Sequence, residues 1–266
     1  MGKLTLVSTG AGGSRYLTCE AKEALQNANI IVGYTKYLKD IKEFINEKET
    51  FSTGMTKELE RVRYAIEMAK NGKTVALVSN GDANVYAMGS LVVALLDTLE
   101  LWEEIEYVSL PGISSVFALA SEVGAPLSQD MCLISLSDRL TDFDLIQKRI
   151  RLGLEADFII AIYNPKSKSR LEPYRAFLEQ LETLPQDRIV VLGSNLGREK
   201  QEISIITVQE LRDLGVETET IGMSTTILIT NSTTKLTKNG LVLTPRGYLN
   251  KYDLEGMEKK EWNKIS

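Results

Sequence analysis

The chain has 266 residues, of which 43% are hydrophobic and 25% charged, so it has enough apolar material for one or two domains and is not expected to be disordered. Its formal net charge of −5 argues against a broad nucleic-acid or anionic-membrane surface. The absence of histidine argues against Ser-His-Asp and Cys-His nucleophiles and imidazole metal sites, so we expect no metal and chemistry that depends on holding two reactants together.

The N-terminal half repeats a unit of strand, glycine-containing loop and helix. The chain enters a strand-like pattern at once instead of a signal peptide, and no apolar run reaches the roughly 20 residues that span a bilayer, so we expect a cytoplasmic protein. Hydrophobic periodicity predicts strands at 3–8, 28–33, 74–78 and 105–110, and helices from 17, at 56–70, at 85–96 and from 114. Such alternation is typical of a largely parallel sheet with ligand-binding loops at the carboxyl ends of its strands.

A polar, turn-forming segment at 124–130 separates this half from a second α/β region. There the pattern predicts helices around 142–153 and 171–184, and strands at 131–136, 157–163, 188–193, 202–207 and 223–231. We therefore predict an α/β fold of two α/β domains with a ligand cleft between them. The predicted limits are 1–126 and 127–245, followed by a charged, peripheral tail over 246–266.

Three loops of the first half follow predicted strands and combine glycine with small or polar residues. The segment 10–13 lets a ligand approach the backbone, Gly81 and Asp82 place a carboxylate at the sheet edge, and 111–115 offers hydroxyl groups at a helix N-terminus. The alternative explanation is a tight turn for the first loop and helix capping for the other two. The acidic residue that binds the ribose of NAD is missing after the second strand, which argues against a nucleotide-dependent oxidoreductase.

These loops resemble the tetrapyrrole methylase family, the class III methyltransferases that use S-adenosylmethionine. The family's Gly-Pro-Gly loop, its Ser-Gly-Asp-Pro loop with a following Tyr, and its Pro-Gly-Ile/Val-Ser/Thr-Ser loop are similar to 10–12, to 80–83 with Tyr86, and to 111–115. The resemblance covers nearly the whole chain. Within the family, Asn164-Pro165-Lys166-Ser167-Lys168 is the sharpest similarity to the branch that methylates C17 of precorrin-3B.

The resemblance implies methylation of C17 of precorrin-3B or cobalt-precorrin-3 with ring contraction, in cobalamin biosynthesis. It implies S-adenosylmethionine as cofactor, S-adenosylhomocysteine as its product, a tetrapyrrole substrate and a homodimer. From the net charge we expect neither nucleic acid nor membrane as partner. The residues expected to bind the cofactor are Gly10, Ala11, Gly12, Gly81, Asp82, Val85, Tyr86, Ser114, Ser115, Tyr163, Thr225 and Thr226.

We expect catalytic roles for three residues, which are Asp82, Tyr163 and Lys166. The carboxylates of the macrocycle need cations, and the expected ones are Arg139, Lys166, Lys168, Arg170 and Arg198. Solvated surface charge is the alternative explanation for each of these cations.

Three departures from the family pattern, at four positions, fall in these loops. Ser8 replaces a common glycine, Ala11 the usual proline, and Ala83-Asn84 the usual Pro-Gly or Pro-Ser pair. Loss of proline makes a loop less preorganised. The alternatives are therefore a methyltransferase of the same fold with another substrate (another precorrin, a protein or an RNA), and a degenerate relative that binds a tetrapyrrole without turnover.

Overall fold

The chain forms two compact α/β units, which confirms the predicted fold class. A computed structural model describes residues 1–45 and 48–256. The first unit is Met1–Ala118 with Asn195–Gln201, and the second is Leu119–Ser194 with the described residues from Glu202 onward. The predicted domain limits of 1–126 and 127–245 stay a prediction. The predicted tail over 246–266 lies partly outside the described residues, from 257 on.

The first unit contains a parallel sheet with the strand order β3-β2-β4-β1-β5. Its strands are β1 (Gly2–Ser8), β2 (Ile30–Tyr34), β3 (Glu49–Thr53), β4 (Thr74–Ser79) and β5 (Ile105–Leu110). Its helices are α1 (Cys19–Asn27), α2 (Thr35–Asp40), α3 (Lys42–Ile45), α4 (Glu58–Lys70) and α5 (Gly89–Thr98), and α6 (Ser115–Val123) begins in it.

Helices cover both faces of this sheet. Leu6 and Leu77 pack with side chains of α4 and α5, whereas Val7 and Val78 pack with side chains of α1 and α2. Because both faces are buried, β1 and β4 are nearly continuous apolar runs, and this is why the sequence predicted them well.

The second unit contains a mixed sheet with the strand order β10-β9-β11-β8-β7. Its strands are β7 (Met131–Ser135), β8 (Ile159–Tyr163), β9 (Ile189–Ser194), β10 (Glu202–Thr207) and β11 (Thr225–Ile229), and a small three-stranded sheet adds β6 (Gly124–Ala125), β12 (Lys235–Leu236) and β13 (Val242–Leu243). Its helices are α7 (Phe143–Glu155), α8 (Glu172–Gln180), α9 (Val208–Leu214) and α10 (Tyr248–Lys251). The connection Asn195–Gln201 is too short for a parallel crossover, so β9 and β10 pair antiparallel.

Several elements differ from the sequence prediction, which also gave no helix at α2, α3, α9 or α10 and no strand at β6, β12 or β13. The helix predicted at 85–96 begins only at Gly89, because the N–H of Val85 donates to the carbonyl of Asp82 and Tyr86 has a φ of 53°. The strand β3 was not predicted because it lies at the sheet edge and is largely exposed, so it has no continuous apolar run. Among the described helices, none combines the length and apolar character needed to cross a membrane.

Candidate active site

The loops that follow β1, β4 and β5 meet at the carboxyl edge of the first sheet, because these strands are neighbours. The N–H of Gly10 donates to the carbonyl of Gly81 at 3.0 Å, and the N–H of Gly81 donates to the carbonyl of Gly10 at 2.6 Å. These reciprocal bonds form an isolated β-bridge between the first two loops. Two of the residues expected at the cofactor are therefore brought into direct contact.

Asp82 joins the second loop to the third. Its Oδ1 accepts a hydrogen bond from the N–H of Asn84 at 2.8 Å, and its Oδ2 accepts one from the N–H of Gly112 at 3.0 Å. Bonds from backbone N–H groups to a carboxylate are charge-assisted and stronger than neutral ones. Each carboxylate oxygen has further lone pairs, so the half-buried Asp82 keeps the capacity to accept a hydrogen bond from a ligand.

Glycine is required at position 112 by the packing of the loops. A Cβ there would lie 2.3 Å from the carbonyl oxygen of Gly81 and 2.5 Å from Cβ of Ser8. Gly81 differs, because a Cβ there would meet nothing nearer than Cα and Oγ of Ser114 at 3.9 Å. A Cβ at Gly81 would therefore make ordinary van der Waals contact with the buried Ser114, and it is the φ of 66° that favours glycine here. Because Gly81 has no Cβ, a ligand can come closer to this backbone than to that of any other residue type.

Ser8 and Ala83, two of the positions that depart from the family pattern, contact each other. Oγ of Ser8 accepts a hydrogen bond from the N–H of Ala83 at 2.9 Å, and both residues are fully buried. A proline at 83 would have no N–H to satisfy, whereas alanine introduces a buried donor. The hydroxyl at position 8 satisfies this donor, so the two departures compensate each other.

The other expected cofactor residues of the first unit lie along the same loops. Ala11 is buried, and Tyr86 is half exposed. Ser114 precedes α6, which begins at Ser115. A positive φ is unusual for a bulky residue such as Tyr86 and is found most often where function or tight packing holds the backbone.

Three expected cofactor residues belong to the second unit. Tyr163 ends β8, and the antiparallel register that pairs Ile162 with Ile227 places Tyr163 next to Thr226 on β11. Thr225 is buried, and its Oγ1 lies 2.8 Å from Oγ of Ser194 and accepts a hydrogen bond from the N–H of Gly222 at 3.0 Å. Contact of these three residues with the cofactor stays a prediction.

The cations expected to bind substrate fall into two groups. Lys166 and Arg170 are buried and donate to backbone carbonyls, Lys166 to those of Val216 and Thr218 and Arg170 to those of Leu136 and Asn164. Burial lowers the pKa of the Lys166 ammonium, while Glu217 and Glu219 oppose this shift. Arg139 and Lys168 are exposed. Arg198 belongs to the first unit, where it contacts Ala11, Asp40 and Asn80.

Sequence reasoning did not select Ser8, Asp40 or Asn80 as site residues, although each contacts one of these loops or Arg198. Ser8 carried a signal, because it departs from the family pattern together with Ala83. Asp40 carried none, since its partner Arg198 is distant in the sequence.

Comparison with known proteins identifies the family of the chain. The sequence pattern of the Tetrapyrrole (Corrin/Porphyrin) Methylases matches residues 3–212, and the chain belongs to this family. It is 41% identical over 254 residues to a probable cobalt-factor III C(17)-methyltransferase of Methanocaldococcus jannaschii, covering 94% of this chain and 100% of the relative. It is 34% identical over 253 residues to the precorrin-3B C(17)-methyltransferase of a Sinorhizobium species, covering 93% and 97%.

The fold is similar to a solved structure as well. The crystal structure of the methyltransferase CobJ superposes with a TM-score of 0.84 at 34% identity, covering 92% of this chain and 100% of that chain.

Proposed function

We propose that this chain transfers the methyl group of S-adenosylmethionine to C17 of a precorrin-3B-type tetrapyrrole in cobalamin biosynthesis, with contraction of the macrocycle. The observation that carries the proposal is the junction of three loops around Gly10, Asp82 and Gly112, in a member of the tetrapyrrole methylases. Relatives named as C(17)-methyltransferases, aligned over nearly their full length, support the position of methylation.

The residues at this junction fit the proposed cofactor. The missing side chain of Gly81 lets a ligand approach the backbone, and the Asp82 carboxylate beside it can accept hydrogen bonds or balance positive charge. When bound, S-adenosylmethionine supplies an electrophilic methyl group on a sulfonium. The loops that contain Gly10, Gly81 and Ser114 would hold it.

The protein's contribution to methyl transfer is orientation. The new bond joins the methyl carbon to the macrocycle carbon, and the electrons of the broken carbon–sulfur bond stay on sulfur, which gives S-adenosylhomocysteine. Holding the two reactants in line can lower the barrier by about 7–11 kcal/mol. No covalent intermediate with the enzyme is required.

Ring contraction requires proton movement, for which we propose Tyr163 at the end of β8. Lys166 is less suited to move a proton to substrate, because its ammonium already donates to two backbone carbonyls. We propose the exposed cations Arg139 and Lys168 as partners for the carboxylates of the macrocycle.

The contact between Ser8 and Ala83 bears on the alternative of a degenerate relative. A loop that loses a proline and gains a matching hydrogen bond keeps its buried polar groups satisfied, which supports a functional site. A homodimer and a cytoplasmic location stay predictions. Light scattering after size exclusion tests the first, and cell fractionation the second.

The test of the proposed cofactor is calorimetric titration of the purified protein with S-adenosylhomocysteine, with NAD as a parallel control. Binding of S-adenosylhomocysteine alone supports the methyltransferase. Binding of NAD alone, or of neither, contradicts it.

A further inference from the structure

A short segment from the second half of the sequence folds as part of the first unit. Asn195–Gln201 connects β9 to β10, two strands of the second unit, but groups with Met1–Ala118. Its Gly197 packs against the first loop: a Cβ there would lie 2.4 Å from the carbonyl oxygen of Gly12 and 2.6 Å from Cε2 of Tyr16. Only glycine allows this approach, so the segment and the loop are in backbone contact.

The next residue of the segment, Arg198, hydrogen-bonds to three separate parts of the first unit. Its Nη1 donates to the carbonyl of Ala11 at 3.1 Å, and its Nη2 donates to Oδ1 of Asn80 at 2.9 Å. Its Nε and Nη2 both donate to Oδ2 of Asp40, at 3.0 and 2.7 Å. One guanidinium therefore holds the loop after β1, the loop after β4 and the end of α2.

These contacts are shielded from water, since the side chains of Arg198 and Asp40 are 17% and 18% exposed. An ion pair in this environment is screened less by salt than a surface pair. Lysine cannot replace it, because an ammonium is a compact charge without the planar fork that reaches several acceptors at once. All three guanidinium nitrogens of Arg198 already donate, which leaves little capacity for a substrate carboxylate.

We propose that Arg198 is a positioning residue that fixes the first loop against the second through Ala11 and Asn80, instead of the substrate-binding residue expected from the sequence. The two loops are those that the proposed function assigns to S-adenosylmethionine, so the expected effect on cofactor binding rests on that function. The expected effect on the order of the loops is independent of it. The paired amides of Gly10 and Gly81 report directly on whether the loops stay together.

The experiment compares the wild type with Arg198→Gln, Arg198→Lys and a matched control, Arg188→Gln. Arg188 also pairs with a carboxylate, that of Asp157 at 3.0 Å, and is 11% exposed, but it lies in the second unit. Hydrogen exchange is followed by mass spectrometry in peptides covering 9–13 and 80–84 without ligand. Affinity for S-adenosylhomocysteine is then measured by calorimetry.

We expect both Arg198 variants to exchange faster than wild type in both peptides and to bind S-adenosylhomocysteine about tenfold or more weakly, as for loss of a charge-assisted hydrogen bond. We expect Arg188→Gln to change neither the exchange of these two peptides nor the affinity for S-adenosylhomocysteine, even if it lowers thermal stability as much as the Arg198 variants do. Wild-type exchange and affinity in Arg198→Gln would overturn the proposal, as would equal changes in the control.

Asn80→Ala keeps the test available if the Arg198 variants do not fold, because it removes one acceptor and leaves the ion pair with Asp40 in place. Faster exchange in both peptides is expected for this variant too, and unchanged exchange counts against the proposal. If the wild type does not bind S-adenosylhomocysteine while exchange responds as expected, the positioning role stands and the proposed function fails.

Discussion

Replacing Asp82 tests the organisation of the loops most sharply. Asp82→Ala removes the acceptors of the Asn84 and Gly112 N–H groups, bonds of 2.8 and 3.0 Å to a carboxylate. A hydrogen bond to a charged group contributes about 1.5–3 kcal/mol to stability, and every 1.4 kcal/mol corresponds to about tenfold in affinity. If binding requires the ordered junction, we expect S-adenosylhomocysteine to bind about 10- to 100-fold more weakly to Asp82→Ala.

The assay is calorimetric titration, with a denaturant melt on each protein to confirm folding. Asp142→Ala is the matched control, because Oδ1 of Asp142 also accepts from a backbone N–H, that of Leu145 at 3.2 Å, at the start of α7 in the second unit. The control is expected to lose about 1 kcal/mol of stability, as for other N-cap residues, with no change in affinity. Wild-type affinity in a folded Asp82→Ala protein would refute a role for this carboxylate in the site.

Three further predictions concern stability. Ser8→Ala leaves the buried N–H of Ala83 unsatisfied and should lower the free energy of unfolding by about 1–3 kcal/mol. The double variant Ser8→Ala with Ala83→Pro should recover most of this loss in urea melts. If the losses of the two single variants simply add in the double variant, the compensation is contradicted. Tyr174→Phe should leave stability unchanged or raise it by about 1 kcal/mol, because the buried hydroxyl has no hydrogen-bond partner within the described residues. A clear loss of stability in the same melts would show that the hydroxyl has a hydrogen-bond partner. Glu210→Gln should lower stability at pH 7 but not in acid. Hydrogen bonds from the backbone N–H and the hydroxyl of Thr207 lower the pKa of the Glu210 carboxyl below 4.5 in the folded protein. The charged carboxylate therefore stabilises the fold above pH 4.5, and this stabilisation is lost as the pH falls through the lowered pKa. A difference that persists at pH 2 would argue against this charge effect.

The sequence predicted β1, β2, β4 and β5 of the first unit, with the loops after β1, β4 and β5, because their signals are local. A strand buried on both faces is a continuous apolar run, as in β4, and glycine-containing loops mark the ends of β1, β4 and β5. The start of α5 was misplaced because apolar residues at 85–88 continue the helical pattern through a turn that only the backbone reveals. The family resemblance, now confirmed, supplied the function that periodicity alone does not specify.

The environments of charged side chains were not predictable in this way. Lys166 and Arg170 follow Asn164 in a segment that suggested substrate contact, yet both point their charges at backbone carbonyls. The pairing of Arg198 with Asp40 joins residues 158 positions apart, and no local pattern in a single sequence encodes such a contact. The sequence shows that Lys and Arg side chains are present in these loops, and only the fold shows which groups they contact.

The most direct test of the central claim is methyl transfer from S-adenosylmethionine labelled with ¹³C in its methyl group. The purified protein is incubated with precorrin-3B and, separately, with its cobalt-containing counterpart, and the product is analysed by NMR and mass spectrometry. The proposed function predicts one labelled methyl group bonded to C17 with at least one of these substrates, together with an equal amount of S-adenosylhomocysteine. Label on another carbon, or bound S-adenosylhomocysteine without transfer to either substrate, would contradict it.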